Sequence, residues 1–182
     1  MALSYLIRTQ NASQFHASDT CFTKQNYHTG TDMPNDLFSA ATPVGVLGGS
    51  VAMLSNTGVD ATDEYTVVPG TGAVGTRAVG LFVNNASGRP WEMNQAVASG
   101  KITVAKGKPS VEVDVYETYE QNKASGASAS EWDLISYNVG DALYCSANGL
   151  LTNEVAPNGQ IIGYVTKAPS VNSLALGLDV EV

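Results

Sequence analysis

Apolar and polar residues alternate along several short stretches of the chain. Val111-Glu-Val-Asp-Val115 alternates strictly, and residues 174–182 carry an apolar side chain at every second position up to Val182. A period of two places successive side chains on opposite faces of a β-strand, whereas a helix would distribute them around its axis. Both segments are therefore predicted to be strands with one buried face and one solvent-facing side.

Other runs of apolar and β-branched residues predict further short strands. They are residues 44–54, 64–68, 78–83 and 101–105. Turn-forming residues separate the strands, and Asn148-Gly149 in particular favours the positive φ values of a tight hairpin. No stretch of a dozen residues carries a 3.6-residue apolar stripe. The pattern predicts an all-β fold, with a compact β-barrel or β-sandwich domain over residues 41–182.

The first 40 residues differ in character from the rest of the chain. After Ile7 they contain few aliphatic residues, and their aromatic residues follow no period of 2 or 3.6. Such a segment has too little aliphatic surface to form a core alone. We therefore interpret residues 1–40 as an extended arm, ordered on its own domain or on a neighbouring subunit; a plain loop-rich terminus is the alternative. Deletion of residues 1–20 is expected to leave the β-domain folded.

Charge and composition exclude several classes of protein. Charged residues make up only 14% of the chain and the net charge is −8. The nine Lys and Arg residues are scattered, so the clustered cations that bind a phosphate backbone are missing, and nucleic acid is not an expected partner. The N-terminus lacks the apolar core of a signal peptide, and no run of about 18 apolar residues occurs. Synthesis in a cytoplasm, without membrane association, is expected.

The two cysteines, Cys21 and Cys145, lie far apart in the sequence and have no CxxC partner. This spacing argues against a zinc site. One disulfide between them remains possible, and two separate buried thiols are the favoured interpretation.

Gly70-Thr-Gly-Ala-Val-Gly75 matches the GxGxxG pattern of dinucleotide-binding loops. In those loops the third glycine leads into a helix whose N-terminus faces the pyrophosphate. Here the following residues, 76–83, are rich in Gly and Val and read as a strand. We therefore predict a connection between β-strands and no bound dinucleotide.

Other candidates for chemistry are equally sparse. His16 and His28 have no ligand partner at helical or strand spacing, and Asp63-Glu64 is typical of solvated charge at a strand edge. Glu112 and Asp114 share one face of a predicted strand but lack the further oxygen donors that calcium needs. No catalytic, cofactor-binding or metal-binding constellation is predicted, so the protein is expected not to be an enzyme.

The C-terminal third carries a family resemblance. Tyr137-Asn-Val-Gly-Asp-Ala-Leu-Tyr144 is followed by Ala147-Asn-Gly-Leu-Leu-Thr152, then by Gly159-Gln-Ile-Ile-Gly-Tyr-Val165 and the alternating terminal strand. Val97-Ala-Ser-Gly-Lys-Ile-Thr-Val104 precedes this block. The order resembles the decoration, or cement, proteins of tailed-phage capsids, which have a barrel-like β-tulip domain. The resemblance covers residues 78–182.

This resemblance implies a virion structural protein on the capsid exterior. Such a protein binds the major capsid protein and neighbouring copies of itself, often as a homotrimer, and stabilises the shell. If the arm makes these contacts, its apolar side chains Leu3, Tyr5, Leu6 and Phe15 are the candidate capsid contacts.

Two further functions compete with this interpretation. A tail-tube, fibre or head–tail completion protein would have the same strand-rich pattern. Trp91 and Trp132, each beside turn-forming residues, and the eight tyrosines are also compatible with a carbohydrate-binding β-sandwich. Tryptophans in such places more often plug the end of a β-core.

Overall fold

The computed structural model describes residues 4–5, 12–17, 46–54, 66–84, 101–120 and 134–182. Within these ranges the chain is all-β, as predicted, and forms eleven strands without a helix. The strands are β1 Ser4–Tyr5, β2 Ala12–Ala17, β3 Val51–Leu54, β4 Thr66–Pro69, β5 Ala78–Phe82, β6 Lys101–Ala105, β7 Ser110–Val113, β8 Ala142–Cys145, β9 Leu151–Thr152, β10 Gly163–Lys167 and β11 Leu176–Val180.

Five of the strands close into a barrel in the order β2-β4-β3-β5-β6. The neighbouring strands are antiparallel except for β2 and β4, which run parallel. At Gly80 the barrel wall has no room for a side chain. A Cβ there would come within 2.7 Å of a Val104 methyl carbon and would also clash with the Ala105 carbonyl oxygen. Only glycine lets β5 approach β6 this closely.

The other six strands form one sheet in the order β1-β7-β11-β10-β8-β9. The predicted alternation is confirmed in β7 and β11: Val111, Val113, Leu178 and Val180 are buried, whereas Asp179 is exposed. β11 begins only at Leu176, so the terminal strand is shorter than its apolar period predicted.

The barrel and the sheet share a wall. On β3, Ala52 faces a core inside the barrel, whereas Val51 and Met53 pack with the apolar face of the sheet. Likewise on β5, Phe82 belongs to the barrel core and Leu81 to the core between barrel and sheet. Because both faces of these strands are buried, their sequences are continuously apolar and do not alternate.

The GxGxxG segment connects β4 to β5 and lies where barrel and sheet meet. Its carbonyl at Gly72 accepts a 3.1 Å hydrogen bond from the Asn158 amide. A Cβ at Gly70 would lie 2.6 Å from the Cys145 Sγ atom, so the strand connection fits directly against β8. No helix follows, which confirms the prediction of a β-connection.

Strands from the first 40 residues belong to both sheets. Tyr5 in β1 pairs with Val111, and β2 fills the gap between β4 and β6. The Phe15 side chain is only 6% exposed and packs inside the barrel. The described parts of residues 1–40 thus form strands of the chain's own sheets. Leu3, Leu6 and residues 18–40 lie outside the described residues.

Candidate interaction surface

The connection between β10 and β11 ends in a tight turn at residues 170–173. The Ser170 amide donates to the Ser173 carbonyl oxygen at 2.8 Å, and the Ser173 amide donates back to the Ser170 carbonyl at 3.1 Å. The Tyr116 hydroxyl donates a 2.8 Å hydrogen bond to the Leu174 carbonyl oxygen. The turn is therefore held at its base and against the neighbouring β7 segment.

This turn presents apolar side chains to solvent. Val171 is 99% exposed and Leu174 is 73% exposed. Glycine, asparagine, aspartate, serine and proline are the residues that turns favour, so backbone geometry does not require valine at the apex. Single exposed apolar residues are common, but two on one hydrogen-bonded turn are a candidate for contact with a partner. We call residues 170–174 the hairpin tip.

Outside the hairpin tip, exposed apolar side chains lie mainly on other connections. They are Val74, Leu134, Val139 and Val155, whose exposures run from 69% to 79%. Val74 is in the GxGxxG connection, so it offers an exposed valine at a different place on the surface.

The outward face of the six-stranded sheet is polar and rich in carboxylates. Glu112 forms a 2.9 Å ion pair with Lys167, and Glu181 forms a 2.6 Å pair with Lys108. Hydrogen bonding to Glu181 and its charge raise the pKa of Lys108. Because these pairs are exposed to solvent, they add little to stability and keep this face hydrated.

The most deeply buried polar cluster surrounds Glu117, which is fully buried. Its Oε1 atom accepts hydrogen bonds from Ser146 Oγ at 2.6 Å and from Asn148 Nδ2 at 3.2 Å. Ser146 Oγ also accepts a 3.1 Å bond from the Leu150 amide. The carboxylate thereby fixes the turn between β8 and β9 and lies away from solvent, so its role is structural.

Cys145 and Tyr137 lie beside this cluster. Burial raises the pKa of the Cys145 thiol from 9.0 to about 12, and the Glu117 charge adds to the effect, although a hydrogen bond from the Gly72 backbone opposes it. Burial and the same carboxylate also raise the pKa of Tyr137. A thiol held neutral in this way is a poor nucleophile. Cys145 is a free, buried thiol, as the interpretation of two separate thiols expected for this residue.

A cleft of about 490 Å³ opens between the barrel and the C-terminal end of the sheet. Its walls carry Arg77 and Lys106 as well as Glu181, so cations and a carboxylate face the same space. Lys106 Nζ lies 5.3 Å from the centre of the Phe15 ring and covers that buried side chain. This mixture of charges does not select an anionic or a cationic ligand.

In the described parts of the chain, no three His, Cys, Asp or Glu side chains are placed to hold a metal ion. No helix in those parts is long and apolar enough to cross a bilayer. Asp63-Glu64, His28, Cys21 and both tryptophans lie outside the described residues. Of the four candidate contact residues, Phe15 is buried in the barrel, and Tyr5 contributes its backbone to β1.

Sequence reasoning missed the hairpin tip, because the apolar period starting at Leu174 assigned that residue to the terminal strand. The signal that was present is Val171 in the polar run Ser170-Val-Asn-Ser173, where an apolar residue has no turn-forming role.

No known protein-family model matches the chain, and no curated protein or solved structure is detectably similar to it.

Proposed function

We propose that this chain is a structural protein of a tailed-phage virion, which decorates the capsid by binding the major capsid protein and neighbouring copies of itself. Stabilisation of the shell follows from adding such contacts across subunit boundaries. The same proposal places the protein on the capsid exterior and includes the trimeric association that the resemblance implies.

The hairpin tip is the observation that carries this proposal. Val171 and Leu174 are exposed on a turn whose backbone is hydrogen-bonded on both sides, so little conformational freedom is lost when a partner covers them. Burial of two aliphatic side chains gives one weak contact. Many copies on a regular shell convert weak contacts into firm attachment through avidity.

The body of the protein supports the same role. Barrel and sheet share the wall formed by β3 and β5 and so pack together, and the buried polar cluster around Glu117 fixes the turn between β8 and β9. The strands of the block that resembles decoration proteins, β8 to β11, are four contiguous strands of the six-stranded sheet, in the order β11-β10-β8-β9, and β11 joins them to β7.

Binding to isolated phage heads tests the proposal. Purified protein would be mixed with expanded heads that lack it and with unexpanded proheads, and bound protein measured after sedimentation. Saturable binding to the expanded heads is expected. Folded protein that stays in the supernatant at all concentrations would rule out capsid decoration, and rings or tubes formed by the isolated protein would instead favour a tail-tube subunit.

A further inference from the structure

The barrel is closed by a strand from the very start of the chain. β2 pairs with β6 over five residue positions, from Ala12–Ala105 to His16–Lys101, and with β4 through His16 and Ala17. Without β2 the barrel would be the open sheet β4-β3-β5-β6. Both edges of that sheet would then carry unpaired backbone groups, which are a template for an added strand.

Phe15 is the side chain that anchors β2 in this gap. It is 6% exposed and shares the barrel core with Val67 of β4 and with Ile102 and Val104 of β6. Lys106 Nζ covers the ring from outside. A gap bounded by two strand edges and an aromatic pocket recognises an extended segment with one aromatic side chain, which is the pattern of residues 12–17.

No short connection ties β2 to the barrel that it closes. Between Ala17 and Val51 of β3 the chain has 33 residues, and 83 residues separate Ala17 from β6. Residues 46–50 are buried in the domain, so the tether is residues 18–45, and 28 fully extended residues span roughly 95 Å. A β2 strand from a neighbouring copy could therefore reach the gap and would make the same contacts as the chain's own β2.

We propose that adjacent copies of this protein exchange their N-terminal strands on the assembled particle, so that residues 12–17 of one copy close the barrel of the next. Identical contacts make the outcome depend on concentration alone. A tether of this length holds its strand at an effective concentration of roughly millimolar or below, so the chain's own strand wins in dilute solution. This inference rests on the proposed function, because the shell is what holds neighbouring copies close together.

A pair of variants, each with one introduced cysteine, detects exchange directly. Gln14 and Thr103 are paired across β2 and β6, so Gln14→Cys and Thr103→Cys would be placed on two separate chains, each also carrying Cys21→Ser. A disulfide between these chains can form only if β2 of one enters the barrel of the other. Both chains would be bound to heads in equal amounts, oxidised, and separated on a non-reducing gel by means of a tag on one of them.

We expect a crosslinked heterodimer on heads and none in micromolar solution. The double variant Q14C/T103C on one chain should form its internal disulfide in solution, which verifies the register. The matched control is Tyr164→Cys with Ala142→Cys on separate chains, a pair joined within one sheet by β8 and β10, and it should give no heterodimer. Absence of the heterodimer on occupied heads, while the double variant crosslinks, would overturn the exchange.

The experiment distinguishes a failure of the proposed function from a failure of the strand exchange. If the protein does not bind heads, the same mixture at concentrations above roughly one millimolar tests strand exchange alone, since free neighbours then outcompete the tether. A heterodimer band that rises with protein concentration would support the exchange without the capsid. A band missing at every concentration would reject it.

Discussion

The Tyr137 hydroxyl donates a 2.6 Å hydrogen bond to the backbone carbonyl oxygen of Glu117. This bond joins the segment before β8 to the segment after β7, which are 20 residues apart in the sequence. The Tyr137 ring also packs edge-on against Tyr116, with 5.4 Å between the ring centres. Because Tyr116 holds the hairpin tip through Leu174, the buried tyrosine supports the candidate surface indirectly.

Replacing Tyr137 with phenylalanine should destabilise the protein. The substitution keeps the ring and leaves the buried Glu117 carbonyl without the Tyr137 hydroxyl, which costs about 1–2 kcal/mol of unfolding free energy. Urea unfolding monitored by circular dichroism measures this change. The control is Tyr164→Phe, which alters a tyrosine that is 41% exposed and should change stability by less than about 0.5 kcal/mol. Equal effects of the two substitutions would contradict the structural role of Tyr137.

Gly72 and Gly75 form a matched pair in the connection between β4 and β5. Both have positive φ, at 62° and 82°, so alanine is strained at either position by about 1–2 kcal/mol. A Cβ at Gly75 meets nothing within 4 Å, whereas at Gly72 it would clash with the Cys145 carbonyl oxygen. Gly72→Ala should therefore cost at least about 2 kcal/mol more than Gly75→Ala, or prevent folding. Thermal unfolding of both variants compares them.

The strands with one wet face were predictable from the sequence, and the closure of the barrel was not. Alternation with polar residues or glycine identifies the buried face at Val111, Val113, Leu178 and Val180. β2 has no such signal, because Ala12-Ser-Gln-Phe-His-Ala17 contains one large apolar side chain. β2 is held between β4 and β6 by backbone pairing and by the pocket around Phe15. Both the pairing and the pocket form only when distant parts of the chain meet.

The position of Phe15 changes the expected result of removing the N-terminus. Because β2 closes the barrel, deletion of residues 1–20 should now open it, and the earlier expectation of an intact β-domain no longer follows. Phe15→Ala should by itself cost about 3–5 kcal/mol, as for other buried aromatic residues. Ser13→Ala, a half-buried position in the same strand, should cost less than about 1 kcal/mol. Urea unfolding of the full-length variants, with the deletion compared by circular dichroism, tests this.

Cys145 should make stability depend on alkaline pH. Burial raises the pKa of its thiol in the folded protein to about 12, whereas the unfolded thiol ionises near its ordinary pKa of 9.0. The stabilisation from the neutral Cys145 thiol is therefore fully present below pH 9 and is lost progressively between pH 9 and 12, since ionisation favours the unfolded chain. Urea midpoints from pH 7.5 to 10.5 should fall more steeply for Cys21→Ser than for C21S/C145A. Parallel curves would exclude a buried thiol as the cause.

Making the hairpin tip polar should weaken attachment to heads without unfolding the protein. The double variant V171S/L174S removes two exposed side chains, and a loss of about 1 kcal/mol at each contact lowers affinity by at least roughly tenfold. Sedimentation with expanded heads measures the affinity, and thermal unfolding should be unchanged within a few degrees. Val74→Ser, which alters a valine on another connection that is 79% exposed, is the control and should bind as the unmodified protein does. If V171S/L174S saturates heads at the same concentration as Val74→Ser, the capsid contact lies elsewhere on the surface, because the tip would then contribute no binding energy.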